Sequence, residues 1–330
     1  MQKLLNKVIC GDCIDILAKT RKPFADLIFA DPPFNIGYKY DKYYDKVKSR
    51  NYIAWTKDWM TVCKSVLKPA GSFYIAIGDD YAANVKLIAD EIGLHLRNWI
   101  IWHYTFGQQT KTKFARSHTH IFYFVNDGKN FTFNDYAVRV PSDRQLIYND
   151  KRANPAGKMP DDVWDQYPRV CGTFKERAGW HPCQMPESLL KKIIAVSSNP
   201  GDCVLDPFSG SGTTPAAAWQ LDRKYVAIEV SQKYVDNTRQ RLAELKKQNW
   251  NHSKFSRLEF MELNRLLSDM AVPAEKVLSD AQLLELFTNQ FSIRMNNAKQ
   301  YQSTELTKAL QSLAARRSLG ASIQTDRLFQ

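Results

Sequence analysis

Two apolar runs of the chain each end in an acidic residue, and an unusual short segment follows each of them. DLIFA leads into DPPFNIG (residues 31–37), and CVLD leads into PFSGSGTT (residues 207–214). Two adjacent prolines donate no hydrogen bonds and fix φ near about −65°, so Asp31 and the carbonyl groups beside it form a stiff set of acceptors. In the second segment, Gly210 and Gly212 let a ligand approach the backbone closely. The first segment therefore offers hydrogen-bond acceptors to a ligand, and the second leaves space for a ligand beside the backbone.

A third acidic residue, Glu229, ends the next predicted strand, 23 residues after Asp206. A carboxylate at such a place can accept hydrogen bonds from two ribose hydroxyls. The nicotinamide-binding pattern G-x-G-x-x-G is not met, because Pro215 stands at the position of its third glycine. Taken alone, the glycine-rich segment is also compatible with a plain tight turn.

The composition of the chain favours a polyanionic partner. The 330 residues carry a formal net charge of +12, and the pI is near 9.3. Such a balance is typical of proteins that bind nucleic acid, and the length allows one large domain with additions or two domains. No run of 18 apolar residues and no signal peptide are recognisable. We therefore expect a cytoplasmic, nucleoid-associated protein without membrane contact.

The cysteines are spread along the chain, which is not the pattern of a small disulfide framework, and we expect reduced thiols. They are Cys10, Cys13, Cys63, Cys171, Cys183 and Cys203. Cys10 and Cys13 form a C-x-x-C pair, but no second pair of this kind completes a zinc site. The sequence therefore predicts no metal.

The predicted elements follow the order of an α/β protein, in which short apolar strands alternate with helices. The predicted strands are residues 8–10, 26–30, 71–78, 98–104, 120–125, 203–206 and 225–230. The predicted helices are residues 51–67, 80–92, 186–198, 213–221 and 232–248. A polar, basic region over residues 105–180 interrupts the alternation, and residues 251–330 suit amphipathic helices.

The combination of D-P-P-F (residues 31–34) with D-P-F-x-G-S-G-T-T (residues 206–214) resembles the S-adenosylmethionine-dependent DNA amino-methyltransferases, which methylate exocyclic nitrogens of adenine or cytosine. The first segment precedes the second, and WHPCQMPESLL (residues 180–190) lies just before the second, as in the permuted β group of this family. The resemblance covers residues 5–245. It implies a doubly wound, mostly parallel sheet with a target-recognition insert and a helical C-terminal extension.

The same resemblance implies a division of the chain into four parts. They are a catalytic half (residues 1–104), the insert (residues 105–180), a cofactor-binding half (residues 181–248) and the extension (residues 249–330). The strands that end at Asp31 and Asp206 should be neighbours where the strand order reverses, because open α/β sheets bind their ligands in that crevice.

The resemblance also implies roles for individual residues. It assigns catalysis to Asp31, Pro32, Pro33 and Phe34: the Asp31 carboxylate and the Pro32 carbonyl each accept one N–H of the target amine, and Phe34 stacks on a base that has left the helix. It assigns S-adenosylmethionine binding to Asp12, Cys13, His181, Pro182, Gln184, Asp206, Phe208, Ser209, Gly210, Ser211, Gly212, Thr213 and Glu229. Met185 replaces the usual lysine of the H-P-x-Q-K-P segment, which leaves that contact open.

Basic side chains of the insert are predicted to contact DNA phosphates or base edges. They are Lys111, Lys113, Arg116, Arg139, Arg144, Lys151 and Arg152. Residues 35–52, also basic and aromatic, are either a lid that orders on DNA or an ordinary surface loop. Residues 251–330 either pack on the core, contact DNA or form a dimer. A chain shortened to about residue 250 is expected to fold, since the family-like core ends near Leu245.

The predicted function is site-specific methylation of double-stranded DNA at adenine N6. Family members that act on adenine usually carry Asp or Asn at the first position of the tetrapeptide, where this chain has Asp31, and those that act on cytosine N4 usually carry Ser. A cytosine N4 methyltransferase and a non-catalytic DNA-binding protein are the alternatives. A homodimer and a cognate restriction enzyme of a restriction-modification system stay open.

Overall fold

The computed structural model describes residues 4–108, 110–172, 174, 176–247 and 255–318. Its centre is one eight-stranded sheet in the order β1-β8-β7-β2-β3-β5-β4-β6. The strands are β1 (Lys7–Cys10), β2 (Ala25–Ala30), β3 (Leu67–Ile77), β4 (His95–Gln108), β5 (Arg116–Val125), β6 (Val163–Trp164), β7 (Cys203–Asp206) and β8 (Lys224–Glu229). Only β5 runs antiparallel to its neighbours, β3 and β4. The sheet is therefore mostly parallel, as predicted.

Helices connect the strands and cover both faces of the sheet. Within the core region they are α1 (Cys13–Leu17), α2 (Ser49–Val66), α3 (Asp79–Glu91), α4 (Asp143–Leu146), α5 (Glu187–Ser197), α6 (Thr213–Gln220) and α7 (Gln232–Lys247). Towards the C-terminus follow α8 (Arg257–Asp269), α9 (Ala274–Ser279), α10 (Ala281–Arg294) and α11 (Ser303–Ser318). Among the described residues, no helix combines the length and the apolar character needed to cross a membrane.

The alternation of side chains along β2 explains why helices are needed on both faces. Leu27 and Phe29 point into the core cluster that also contains side chains of α5 and α6. Ile28 and Ala30 point into the opposite cluster, which contains side chains of α1, α2 and α3. Successive side chains of a strand point to opposite faces, so an apolar run is stable only when both faces are covered. Strand β2 therefore separates two hydrophobic core clusters, one on each face of the sheet.

The strand order reverses between β7 and β2, where the two halves of the chain meet. These strands pair in parallel, with Leu27 opposite Val204 and Ile28 opposite Leu205. Asp26 also accepts a hydrogen bond from the backbone N–H of Cys203, at 2.9 Å. The prediction that the strands ending near Asp31 and Asp206 are neighbours is therefore confirmed. Their carboxyl ends open into one crevice.

Predicted and observed strands differ most at β3 and at the pair β4–β5. The pairing partner of β2 shifts from Leu67 opposite Ala25 to Ser72 opposite Leu27, so the residues between, which include Pro69, bulge out of the ladder. A bulge tolerates proline. Strands β4 and β5 extend past the predicted limits into residues 105–108 and 116–119, where polar side chains hide the strand pattern.

The predicted insert, residues 105–180, is not one separate unit in the structure. It contains β5, which pairs with β3 and β4 inside the main sheet, and β6, which pairs with β4. Antiparallel β5 reads as an apolar run because it is covered on both faces. The predicted boundary at residue 248 lies outside the described residues. The division into four parts therefore stays a proposal.

The C-terminal helices α8 to α11 pack onto the face of the sheet that carries α5 and α6. Their buried side chains belong to the same core cluster as Leu27 and Phe29. Fully buried members include Leu263, Leu266, Leu267, Phe287, Phe291, Leu306 and Leu310. Of the three predicted uses of this region, packing on the core is the one observed. Residues 319–330 of the predicted extension lie outside the described residues.

An ionic network is buried between these helices and the region before α5. Arg294 pairs with Asp269 at 2.7 Å and with Glu262 at 3.2 Å, and Arg265 pairs with Glu262 at 2.9 Å. The two arginines also donate hydrogen bonds to the backbone carbonyls of residues 137–139. Burying charges is costly unless each one is paired and hydrogen-bonded. The network therefore joins α8 and α10 to the backbone of residues 137–139 through paired charges.

Candidate active site

A cleft of about 1130 Å³ opens at the carboxyl ends of β2 and β7. The DPPF segment forms one wall, and residues 207–214 with Glu229 form another. Residues 181–185 lie between them, and the aromatic loop 35–47 closes the front. Parallel strands place the residues that follow them at one edge of the sheet, so the fold brings together segments far apart in sequence.

Contacts from α2 and α3 fix the DPPF segment at the end of β2. The hydroxyl of Tyr52 donates to the carbonyl of Pro33 at 2.6 Å. The ring of Phe34 packs against Gly78, where a Cβ atom would lie 3.3 Å from the ring. Sequence reasoning missed Tyr52, whose role depends on a contact across 19 residues. The segment is therefore held from behind, and its front faces the cleft.

Two acceptors of this segment have no protein partner. Asp31 and Pro32 line the cleft, and within the described part of the chain no hydrogen bond reaches the Asp31 carboxylate or the Pro32 carbonyl oxygen. Burial, together with the charge of Asp206, raises the pKa of Asp31 to about 7. Asp31 is half-buried at the cleft, where a ligand can replace water at the carboxylate. The pair is thus prepared for a ligand that donates two hydrogen bonds.

Asn35 joins the two ends of the loop that follows DPPF by hydrogen bonds. Sequence reasoning did not single it out. Its amide donates to the carbonyl of Val47 at 3.1 Å and to the Tyr81 hydroxyl at 2.6 Å, and it accepts from the Val47 N–H at 2.7 Å. The residue has φ +59°, in the left-handed region that asparagine tolerates better than most residues. An asparagine directly after a stiff turn was the available signal.

The loop between Asn35 and Val47 reaches across the cleft to the cofactor side. The rings of Tyr40 and Tyr43 stack, with centroids 4.8 Å apart. The centroid of the Tyr40 ring lies 6.1 Å from that of His181, and Ser231 donates to Asp41 at 2.7 Å. The loop therefore lies over the cleft, in the position that the lid interpretation requires.

The glycine-rich turn after β7 is held against the end of β8. Glu229 accepts hydrogen bonds from the backbone N–H groups of Gly210 and Ser231, each at 2.9 Å. Gly210 has φ +46°, and a Cβ atom there would lie 2.9 Å from the ring of His181. A side chain at this position would therefore meet both an unfavourable backbone conformation and a neighbouring ring.

The polar groups of this wall suit the predicted cofactor. The hydroxyl of Ser209 is buried and has no hydrogen-bond partner among the described residues. Asp12, Asp206 and Glu229 add three carboxyl groups to the same cleft, and burial raises the pKa of Asp206 to about 7. Such a set of acceptors fits a ligand with an ammonium group and ribose hydroxyls, which S-adenosylmethionine has.

Two residues of the HPCQ segment mainly hold their own surroundings. Nδ1 of His181 donates to the carbonyl of Cys183 at 2.6 Å, and burial lowers the pKa of His181 to about 4, so the ring is neutral. The amide of Gln184 accepts from Ala178 N–H and donates to the carbonyl of Glu176, both at 2.8 Å. The predicted cofactor contact of Gln184 therefore competes with two loop contacts.

The other predicted cofactor residues are distributed as follows. Asp12 caps α1 by accepting from the Ile14 N–H at 2.7 Å. Burial raises the pKa of Cys13 to about 12, so it is a thiol. Phe208 packs edge-on against Trp59, with centroids 5.1 Å apart. Pro182, Ser211 and Thr213 line the cleft, whereas Gly212, with φ +73°, abuts Thr238 of α7.

The predicted DNA-binding side chains divide into two groups. Lys113 and Arg116 line the cleft. The others do not; they are the exposed Lys111 and Lys151 together with Arg139, Arg144 and Arg152. Arg144 and Arg152 both pair with Asp150, and Arg139 pairs with Asp135. Arg169 and Arg177, which the sequence analysis did not select, line the cleft instead.

A cluster of Asp79, His118 and His120 at the rim of the cleft has the composition of a metal site. Trp99 donates its indole N–H to Nδ1 of His120 at 2.9 Å, so in the neutral ring the proton is on Nε2, which lies 3.2 Å from Asp79. A protonated nitrogen has no lone pair for a metal. Arg116 also binds Asp79 at 2.8 Å. The geometry favours hydrogen bonds over metal ligation.

Comparison with known proteins agrees with this geometry. The family profile described as DNA methylase matches residues 25–240. The type II methyltransferase M.HpaI of Haemophilus parainfluenzae is 34% identical over 237 residues, which cover 72% of this chain and 74% of that protein. The DNA adenine methyltransferase YhdJ of Escherichia coli K12 is 40% identical over 238 residues, which cover 69% and 79%.

A solved structure, the complex of M1.HpyAVI with SAM, has a similar fold. Its TM-score is 0.51 at 22% identity, and the match covers 72% of this chain and 98% of that one. It supports the predicted fold class, and the matched profile includes both the DPPF segment and the glycine-rich turn. This protein belongs to the DNA methylase family of N6/N4 amino-methyltransferases.

Proposed function

We propose that the protein transfers a methyl group from S-adenosylmethionine to the N6 amine of an adenine in double-stranded DNA. The observation that carries this proposal is the pair of unsatisfied acceptors, the Asp31 carboxylate and the Pro32 carbonyl, beside the ring of Phe34 in the cleft. An amine on a base offers the two N–H donors that these acceptors lack.

The chemistry explains why two acceptors are needed. The lone pair of an exocyclic amine is delocalised into the ring, so the amine is a poor nucleophile. Acceptors on both N–H groups draw the lone pair back onto nitrogen, and the charge of Asp31 stabilises the positive charge that develops during transfer. Bound S-adenosylmethionine supplies a reactive methyl group, so the protein contributes orientation and electrostatics. The base must leave the duplex to reach the cleft, where Phe34 can stack on it.

The proposed cofactor site is the wall formed by Ser209, Asp206, Glu229 and Asp12. Its support is the unpartnered hydroxyl of Ser209 and the three carboxyl groups beside it. Glu229 would accept the ribose hydroxyls, and Asp12 would reach the adenine of the cofactor. His181 is neutral and would close over the methionine part without repelling its ammonium group. M1.HpyAVI, which shares the fold, has been solved with SAM.

Adenine is proposed over cytosine because Asp31 is the first residue of the tetrapeptide and because YhdJ, 40% identical, is named a DNA adenine methyltransferase. The experiment is mass spectrometry of nucleosides from plasmid DNA that lacks methylation, after incubation with the protein and S-adenosylmethionine. N6-methyladenine is expected. N4-methylcytosine alone would reject the base assignment, and no methylated base would reject the proposed reaction.

The partner of the reaction is DNA. A cognate restriction enzyme is proposed from the name of the relative M.HpaI, a type II methyltransferase. A homodimer and a nucleoid location stay predictions. Sedimentation of the protein alone and with a duplex tests the dimer.

The pKa of Asp31 predicts how the reaction depends on pH. This pKa is about 7, and only the ionised carboxylate carries the negative charge that stabilises the positive charge developing on the amine. The group is ionised above its pKa and protonated below it. The value of kcat/KM should therefore be constant above about pH 8 and fall about tenfold per unit below about pH 6.

The control for this profile is Asp31→Asn, because an amide oxygen accepts a hydrogen bond but does not titrate. The decrease of kcat/KM at low pH should disappear in this variant, although its activity is lower than that of the wild type. If kcat/KM of the variant still decreases at low pH, the titrating group is another one, such as Asp206, whose pKa is also raised to about 7.

A further inference from the structure

Among the arginines that line the cleft, Arg116, Arg169 and Arg177, Arg169 differs in the partners of its guanidinium. It is exposed, it lines the cleft, and its guanidinium lies over the ring of Tyr104, 5.7 Å from the centroid. No carboxylate among the described residues pairs with it. Arg116, in contrast, is bound by Asp79 and Asp80 at 2.8 and 3.3 Å, and Arg177 donates to the carbonyl of Gly172. Arg169 can therefore bind an anion without leaving an acidic partner.

The backbone on the N-terminal side of Arg169 is anchored by a buried tyrosine. Tyr167 is fully buried, and its hydroxyl donates to the carboxylate of Asp269 in α8. Its carbonyl accepts from the indole N–H of Trp102 in β4 at 2.7 Å. Asp269 is fixed in turn by Arg294 at 2.7 Å. The position of Tyr167 is thus set by the sheet and by the C-terminal helices together.

The C-terminal side of Arg169 is anchored as well. Val170 forms an isolated antiparallel bridge with Gln184 of the HPCQ segment, and Gln184 is itself held by Glu176 and Ala178. Arg169 is therefore fixed between two anchors, and the side chain is directed to the cleft over Tyr104.

The charge of Arg169 lies near the catalytic segment. Burial and the charge of Asp31 raise the pKa of the Cys183 thiol, whereas the charge of Arg169 lowers it. One thiol is thus within electrostatic reach of both groups. A strand that places its base against Asp31 must place its phosphates nearby, and a guanidinium binds a phosphate through two parallel hydrogen bonds.

We propose that Arg169 binds a phosphate of the DNA strand that carries the flipped base, and that Tyr167 and Asp269 are the residues that position it. This inference rests on the proposed function. The C-terminal helices thereby act on the reaction through Asp269 and Tyr167.

The first test is Arg169→Gln, measured as KM for unmethylated plasmid DNA at several NaCl concentrations. We expect KM to rise about tenfold or more. The slope of log KM against log salt should decrease by about 1, because one phosphate contact is lost. The affinity for S-adenosylmethionine should not change. The control is Arg21→Gln. Arg21 is exposed and precedes β2, so it lies towards the amino ends of the strands, whereas the cleft opens at their carboxyl ends. An equal change in both variants, or an unchanged slope in Arg169→Gln, would overturn the proposal.

The second test separates positioning from stability. Tyr167→Phe and Tyr301→Phe each remove one hydroxyl that donates to a buried carboxylate, Asp269 and Glu259 respectively. Both should lower the melting temperature, but only Tyr167→Phe should raise KM for DNA, by several-fold, with kcat nearly unchanged. In combination with Arg169→Gln it should add little. Equal KM values in the two tyrosine variants would reject the positioning role.

Wild-type protein in the same assay separates the two hypotheses. If it does not methylate plasmid DNA, the proposed function fails. If it does and Arg169→Gln behaves like the control, only the inference about Arg169 fails.

Discussion

Replacing Asp31 with alanine should lower the rate of methyl transfer by about three orders of magnitude or more, while S-adenosylmethionine binds within a few-fold of wild type. The side chain is a transition-state acceptor that has no protein partner, and removing one such preorganised group typically costs about 10²–10³ in kcat. The loss of charge adds to this. The measurements are tritium transfer from labelled cofactor to DNA and titration calorimetry of the cofactor.

Asp31→Asn is the matched comparison, since it keeps the shape and one acceptor oxygen. It should retain far more activity than the alanine variant. A folded Asp31→Ala protein that no longer binds the cofactor would place Asp31 on the cofactor side. Turnover close to wild type would remove it from the catalytic residues.

A chain that ends at Lys247 should not give a stable protein, contrary to the expectation from sequence that the core ends near Leu245. Helices α8 to α11 supply buried side chains to the core beside the sheet, and each fully buried leucine or phenylalanine contributes about 1.5–3 kcal/mol. Total stabilities are only about 5–15 kcal/mol. The shortened chain should be insoluble or lack cooperative unfolding in urea. A soluble, cooperatively folded product would contradict this.

A single substitution tests the same interface within the full chain. Arg294→Met leaves Asp269 buried without its ion-pair partner, and breaking a buried pair costs about 3–5 kcal/mol. Lys86→Met breaks an exposed pair with Asp90 on α3 and should cost about 0–1 kcal/mol. Urea unfolding measures both. A similar small loss in the two variants would mean that the buried network adds little stability.

The part of the fold built from buried strands could be predicted from the sequence. β7 was predicted with its observed bounds, and β2 to within one residue. A strand that is covered on both faces must be apolar throughout, so its limits are visible in composition. Where strands leave the core, as in the β4–β5 hairpin, polar side chains are tolerated and the pattern disappears. The bulge of β3 is set by pairing, which a single segment does not encode.

The residues of the site also fall into those that strand patterns predict and those that only contacts between elements define. Asp31, Asp206 and Glu229 were predicted because each stands at the carboxyl end of a recognisable strand. Tyr52 and Asn35 were missed, since their roles come from contacts with other elements. The basic residues show the limit of counting charges: Arg144 and Arg152 were selected, yet Asp150 between them in the chain pairs with both. Arg169 stands six residues from the next basic residue, Lys175, outside the two basic segments from which the DNA contacts were selected.

The pairing of β2 with β7 has a consequence for synthesis. Their contact joins Asp26 and Cys203, which are 177 residues apart. A ribosome that adds about 5–20 residues per second needs roughly 9–35 s to make the intervening chain. For that time one edge of β2 has no partner strand, and an unpaired apolar edge is a template for aggregation. The central hydrogen bonds of the sheet are therefore among the last to form on the ribosome, and chaperones that shield nascent strands should matter for the yield of this protein.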